Sequence, residues 1–273
     1  ALKARVYLEM EDYQNAAAAA QGLINSKRYT LISDGDAYKK MWLNDVGTEA
    51  IWQFAMSKTE TGSNALGSSF MGIVDKLPRP SYLPVKSVLN LYDKENDIRY
   101  DAYFTTGLID RQVGDDIEVT YCSKWPGNPE LYEGKSNNVN KLKAFRISEM
   151  YLIAAEAYAM LNQEDKASEM LNELKKIRIK GWTETVYNGA ALMQEIQDER
   201  VRELFAEGNR LFDMKRWKIG MKRSSSDAQR DDYLPALGTD IEKEATDNRW
   251  VWPIPKDEMD SNPQLKGQQN PGY

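Results

Sequence analysis

Histidine is absent from the chain, and this one zero excludes more chemistry than any other feature of the sequence. Serine–histidine and cysteine–histidine nucleophiles, a histidine general base and histidine-ligated metal sites all need an imidazole. Cysteine occurs once, as Cys122, so neither an internal disulfide nor a multi-cysteine metal site can form. No run approaches the roughly 20 apolar residues that span a bilayer, and no signal-peptide pattern opens the chain. A cationic excess is missing too. The 36 basic side chains face 42 acidic ones, a net charge of −6 with a pI near 5.1. That balance argues against a nucleic-acid partner, which needs a cationic face. Asp34-Gly35-Asp36 lacks the remaining ligands of a calcium loop and reads as a turn. No metal site, catalytic residue or cofactor is expected.

What is present points to helices. At 273 residues and 41% hydrophobic, the chain can bury a substantial core. Its first residues, Ala1 to Leu8, read as the interior of a helix with neither an initiator Met nor a cap, so an upstream segment is expected. Residues 1–26 suggest a helical hairpin turning at Met10 to Tyr13. Residues 147–178 suggest another, with the turn Asn162-Gln163-Glu164-Asp165. At an offset of 151, Ala4 falls on Ala155, Tyr7 on Tyr158, Ala16 on Ala167 and Leu23 on Leu174. This order of small, aromatic and small residues follows the tetratricopeptide pattern, a helix–turn–helix of about 34 residues. Alanines let paired helices approach closely, and the tyrosine fills the groove beside them.

Between the hairpins, residues 27–146 change character. Gly, Pro, Ser, Asn and Asp recur, and the aromatics are scattered rather than periodic. Glu49 to Phe54 alternates like a short strand, Val85 to Tyr92 suggests a helix, and residues 107–122 suggest a hairpin turning at Gly114-Asp115. The segment is a long, loop-rich insertion, the kind of place where binding residues concentrate. Further on, Ala190 to Glu207 reads as a helix broken at Gly208, and Arg210 to Trp217 as its continuation. Residues 220–249 are loop-like, and the proline-spaced tail from Trp250 to Tyr273 is expected to be extended. Glu199, Glu203 and Glu207 recur every four residues, a like-charge stripe that is unfavourable unless cations neutralise it. Arg200, Arg202, Arg210 and Arg216 are the nearest in sequence, with Arg200–Glu203 and Asp213–Arg216 at pairing distance along a helix. The expected role is an ion-pair network that locks the helix, not an acid–base pair.

The stretch from Asp198 to Trp217, DERVRELFAEGNRLFDMKRW, closely resembles the C-terminal block of the SusD/RagB family. The resemblance reaches back to Arg146 to Ala157, RISEMYLIAAEA, and forward to Trp252-Pro253-Ile254-Pro255 and the final Gln269-Asn270-Pro271-Gly272-Tyr273. Family members usually begin with a lipoprotein signal and an anchoring cysteine. Neither is present here, so the chain resembles the C-terminal part of such a protein. The resemblance implies a mainly α fold: a tetratricopeptide-like hairpin scaffold carrying a loop-rich insertion and short strands. It also implies an outer-membrane, cell-surface lipoprotein, anchored by a lipid site absent from this chain. Such a protein binds a nutrient, most often an oligosaccharide, and partners a SusC-like TonB-dependent transporter without being an enzyme. Residues 1–273 are then expected to form a single domain, divided as 1–26, 27–146 and 147–273.

Ligand residues in such a family lie in variable loops, so candidates follow from composition and place alone. A sugar ring stacks its apolar face on Trp or Tyr while its hydroxyls take hydrogen bonds from polar neighbours. Trp125, Tyr132 and Asn128, within Lys124 to Tyr132, come first, followed by Tyr82 and Trp42. Each of these aromatics could instead pack a loop onto the helices. Trp52 is expected in the core, and Trp250 and Trp252 are expected to pin the tail. Two other readings remain open: a tetratricopeptide module that binds protein or peptide, and a carboxylate-based glycosidase.

Overall fold

The computed structural model describes residues 1–59, 66–74, 76–111, 114–131, 138–230, 242–265 and 267–273. It separates into two compact units, Ala1–Glu207 and Gly208–Tyr273. The fold is mainly helical.

The first unit runs α1 (Leu2–Glu9), α2 (Tyr13–Asn25), α3 (Gly35–Leu43), β1 (Ala50–Gln53), α4 (Ser68–Met71), β2 (Ile73–Val74), β3 (Leu77–Pro78) and α5 (Lys86–Leu89). It continues through α6 (Ile98–Tyr103), β4 (Phe104–Ile109), β5 (Ile117–Cys122), β6 (Lys143–Arg146), α7 (Ile147–Met160), α8 (Glu164–Arg178) and α9 (Gly189–Glu203). Both expected hairpins are present, and they use the same turn: Glu11 and Asn162 each adopt a left-handed φ of 58°. Asp12 caps α2 by accepting from Asn15 N. Ala4, Ala16, Ala155 and Ala167 are fully buried, as is Leu174, while Tyr7 and Tyr158 lie half-buried at the rim. The two hairpins, distant in sequence, share one core through α2 and α7, and α9 closes it against α7 and α8.

Asp34-Gly35-Asp36 begins a helix: Asp34 caps α3 with a 2.8 Å bond from Ala37 N. The expected hairpin forms between β4 and β5, paired from Phe104↔Cys122 to Ile109↔Ile117. The helix expected over Val85 to Tyr92 shrinks to α5.

Two departures have one cause. The helix expected to reach Glu207 ends at Glu203, and Ala206 turns left-handed at φ 56°. Side chains capture the carbonyls that another helical turn would have used. Arg146 Nη2 and Tyr103 Oη donate to Glu203 O (2.9 and 3.1 Å), Lys124 Nζ to Phe205 O (2.7 Å) and Trp125 Nε1 to Ala206 O (3.1 Å). Most of the cations that neutralise the acidic stripe come from distant parts of the chain, with Arg202 the contribution of its own helix. Glu203 accepts from Arg178 Nε and Nη2 (3.0 and 2.9 Å), Arg146 Nη1 (2.8 Å) and Arg99 Nη1 (3.1 Å). Glu207 accepts from Arg146 Nε and Nη2 (3.0 and 2.7 Å) and from Lys124 Nζ (2.7 Å), and Glu199 from Arg99 Nη1 (2.5 Å) and Arg202 Nε (2.7 Å). Of the arginines nominated by proximity, Arg202 joins this network, whereas Arg200 lies 3.8 Å from Glu156.

The network also decides how β1 faces. Glu49, at its start, is fully buried, accepting from Arg146 Nη1 (3.1 Å), Arg178 Nη2 (2.9 Å) and Ile32 N (2.8 Å). With Glu49 turned inward, the period of two puts Trp52 and Phe54 outside. Trp52 is therefore 52% exposed, which corrects its expected place in the core.

The second unit holds α10 (Arg210–Trp217), β7 (Met221–Lys222) paired with β8 (Glu242–Lys243), and α11 (Lys256–Ser261). The expected Asp213–Arg216 pair forms at 2.8 Å. The tail is not simply extended, because α11 follows Pro255 with Asp257 and Glu258 in its first turn, favourable against the helix dipole. Trp250 fixes its indole by donating to Glu244 O (2.7 Å), whereas the Trp252 ring is 79% exposed and only its carbonyl is held, by Asn270.

Burial alone would raise the Glu199 carboxyl, but Arg99 and Arg202 outweigh it and hold the group at about 2. Glu203 and Glu207 are lowered by their guanidinium partners in the same way. Folded-state values below the unfolded ones mean stability that is complete above about 4.5 and lost as pH falls toward 2. Urea midpoints measured from pH 7 down to pH 3 should fall steeply below about pH 5; a flat profile would contradict the network. Arg146→Met leaves Glu49, Glu203 and Glu207 short of a cation, and is expected to cost about 3–5 kcal/mol in urea unfolding.

Candidate functional site

Any site for an external ligand must offer reachable side chains, and the five sequence candidates divide on that criterion. Trp42 and Trp125 are 1% and 2% exposed. Their rings meet edge to face at 5.1 Å, within a cluster of Tyr38, Met41, Tyr92, Tyr103 and Phe104. Lys124 Nζ sits 4.2 Å above Trp42 and 3.9 Å from the Tyr103 ring centre. Burial pushes this lysine down to about 8, against the pull of Glu207. Neither indole presents a face to solvent. Asn128, also buried, is a brace: its amide donates to Asn44 O (3.1 Å) and Asp45 Oδ2 (2.9 Å), and its Oδ1 accepts from Glu130 N (2.9 Å). Gly127 (φ 91°) lets this segment run so close to Asn138 that a Cβ would lie 2.8 Å from its Cα. Tyr132 lies outside the described residues.

Tyr82 alone of the described candidates is exposed, at 66%. It follows β3 in a loop pinned by main-chain bonds: Arg79 N to Gly72 O (2.6 Å) and Ser81 N to Ser69 O (2.9 Å). The ring of Phe70, on α4, lies 6.3 Å from that of Tyr82 and is tilted by 55°. Arg79, three residues before Tyr82, donates from Nε (3.1 Å) and Nη2 to Asp110, at the end of β4, whose own N donates to Pro78 O (2.9 Å). The cluster thus combines an open phenol ring, a second aromatic beside it and a half-buried ion pair on a braced loop. Such a set can stack on the apolar face of a ring and hydrogen-bond hydroxyls at its edge. Phe70, Arg79 and Asp110 carry no signal in the sequence because they are brought together by three separate elements.

The same accounting applies to acid–base chemistry. Glu199 and Glu203 are buried and the Glu207 side chain is 6% exposed, and all three are held ionised by cationic partners. A glycosidase acid needs a raised carboxyl within reach of substrate. Cys122 is buried, and burial pushes its thiol up to about 11, away from nucleophilic use. Among the described residues no group of His, Cys, Asp and Glu is arranged to hold a metal ion.

Comparison with known proteins agrees with the helical architecture. The sequence profile of the SusD family matches residues 115–273. SusD-like protein P38 of Formosa agariphila is 25% identical over 311 aligned positions, covering 97% of this chain and 58% of that protein. A SusD superfamily protein of Bacteroides thetaiotaomicron, known by crystal structure, superposes with a TM-score of 0.77 at 27% identity, covering 99% of this chain and 59% of the other. Surface glycan-binding protein A of Bacteroides fluxus has the same fold at 23% identity, with a TM-score of 0.66, covering all of this chain and 61% of its own. The chain therefore spans less than two thirds of the length of these relatives.

The two kinds of aromatic candidate predict opposite stability effects. Trp125→Ala should destabilise by about 3–5 kcal/mol through the cavity it leaves, whereas Tyr82→Ala should stay within about 0.5 kcal/mol. Thermal unfolding of both variants tests the assignment.

Proposed function

The chain belongs to the SusD family, and we propose that it is part of a surface protein that captures oligosaccharide and passes it to a SusC-like, TonB-dependent outer-membrane transporter. The observation that carries the ligand reading is the braced loop of Tyr82, with Phe70 beside it and Arg79, paired with Asp110, three residues earlier in the loop. Capture is an equilibrium process: a pyranose face stacks on the phenol ring and the ion pair orients hydroxyls, with no bond made or broken. The likeness in fold to a surface glycan-binding protein of Bacteroides fluxus supports the same class of ligand. In this reading a lipid anchor on the whole protein holds the module at the cell surface. Catalysis has no part in this reading, since the acidic stripe is consumed by the core.

Calorimetric titration with a panel of plant, host and microbial oligosaccharides tests the proposal. Saturable binding is expected, weakened by Tyr82→Ala about 2- to 12-fold, the worth of one aromatic contact. Turnover of a bound oligosaccharide, abolished by loss of one acidic side chain, would instead establish the glycosidase reading.

A further inference from the structure

A second set of aromatics lies open on the sheet formed by β1 and β6. Trp52 and Phe54 are 52% and 45% exposed, with ring centres 4.7 Å apart. Phe145, the cross-strand partner of Trp52, stacks on it at 6.3 Å with planes inclined by 29°. Beyond Phe145 lies the Arg5 guanidinium, 4.3 Å from the ring centre. Arg5 is itself fixed: Nε and Nη2 donate to the two oxygens of Glu149 at 2.7 Å each, and Nη2 also reaches Ala144 O at 2.7 Å. Phe54 is tied back by its N–H to Leu142 O (3.0 Å).

Three properties of this ledge narrow what can lie on it. It is preorganised, because strand pairing and the Arg5–Glu149 fork set the ring order, so little rotamer freedom remains to be lost on binding. It cannot retreat into the core, because the inward side of β1 carries Glu49, saturated by Arg146 and Arg178. Its charge is also paired: among the described residues Arg5, the cation against Phe145, is bound by both oxygens of Glu149. An anionic ligand gains no free charge here, whereas the C–H face of an uncharged sugar ring meets matching π surface and leaves its hydroxyls in water. We infer that the Trp52–Phe54 ledge, backed by half-buried Phe145, is a carbohydrate-stacking platform for neutral pyranose rings, additional to the Tyr82 cluster. The inference rests on the carbohydrate-binding reading above.

Calorimetry with cellohexaose, xylohexaose, laminarihexaose, mannohexaose, maltohexaose and hexagalacturonate tests it, using the full chain and the Trp52→Ala, Trp52→Phe, Phe54→Ala and Tyr82→Ala variants. Expected is binding of at least one neutral hexasaccharide, weakened about 2- to 12-fold by Trp52→Ala or Phe54→Ala and largely restored in Trp52→Phe. Quenching of indole fluorescence by that sugar should disappear with Trp52→Ala. Neutral-sugar binding sensitive to Tyr82→Ala but indifferent to both ledge variants would overturn the platform and leave the carbohydrate reading standing. Binding of hexagalacturonate alone would overturn the neutral-ring assignment. Absence of binding to all six would overturn both readings. Sedimentation showing self-association that Trp52→Ala abolishes would assign the ledge to a second copy of the chain and overturn the proposal. Should Trp52→Ala fail to fold, Trp52→Phe and Phe54→Ala carry the same comparison.

Discussion

One buried carboxylate organises the first unit. Glu203 receives three guanidinium groups, from α6, β6 and α8, on a side chain with no solvent exposure. A carboxylate alone in that position would be prohibitive, and so would any one of those arginines. Together with their neighbours they balance: Arg99, Lys124, Arg146, Lys175, Arg178 and Arg202 against Glu49, Asp97, Glu195, Glu199, Glu203 and Glu207. Such a cluster is weak evidence for net stability, since well-packed apolar residues could do as well. Charges that must each find several partners accept one arrangement of α6, β1, β6, α8 and α9 and reject others.

That arrangement governs the surface as much as the core. Because Glu49 is drawn inward, Trp52 and Phe54 face out. Because Arg146, Lys124 and Trp125 take the carbonyls after Glu203, α9 stops there and the chain turns at Ala206. Lys124 and Trp125 belong to the loop-rich segment, so these bonds fasten the insertion to the helical scaffold. Trp42 and Trp125, attractive as ligand residues by composition, are the apolar part of the same fastening. The half-buried Arg79–Asp110 pair repeats the device on a smaller scale, tying the start of the Tyr82 loop to the end of β4.

How far the fold is legible in the sequence depends on the range of each interaction. The hairpins are, because a helix pairs residues three and four apart and the small-residue spacing repeats at Ala4/Ala16 and Ala155/Ala167. The β4–β5 hairpin is legible for the same local reason. The acidic stripe reads as structural, yet proximity directs attention to partners within the helix, where Arg200 stands closest. Arg202 is one such partner, of Glu199, but the partners of Glu203 lie 25 residues away at Arg178, 57 at Arg146 and 104 at Arg99, separations that no periodicity encodes. Strand β1 is legible as a strand but not in its orientation, since alternation defines two faces without saying which is inner. One further signal is local: Tyr38, Met41 and Trp42 fall at i, i+3 and i+4 behind the Asp34 cap, the mark of a helix face turned to the core. That spacing argues for packing at Trp42. Tyr82, between prolines and free of any period, stands out by the absence of such a pattern.

Placing the charges inside has a consequence for ligand chemistry. A protein with a net charge of −6 has many acidic groups to offer a substrate, but the most conspicuous of them are spent on arginines in the core. What the described surface retains near its exposed rings is aromatic area with paired charge: Arg79 with Asp110, and Arg5 with Glu149. Surfaces of that kind gain little from long-range attraction and depend instead on contact with a flat, uncharged partner. Affinity then rests on how many rings are engaged at once, which favours polymeric ligands over monomers. Two rigid aromatic clusters on one chain can convert weak individual stacking into stronger capture when a single oligosaccharide can reach both, and they remain independent when it cannot.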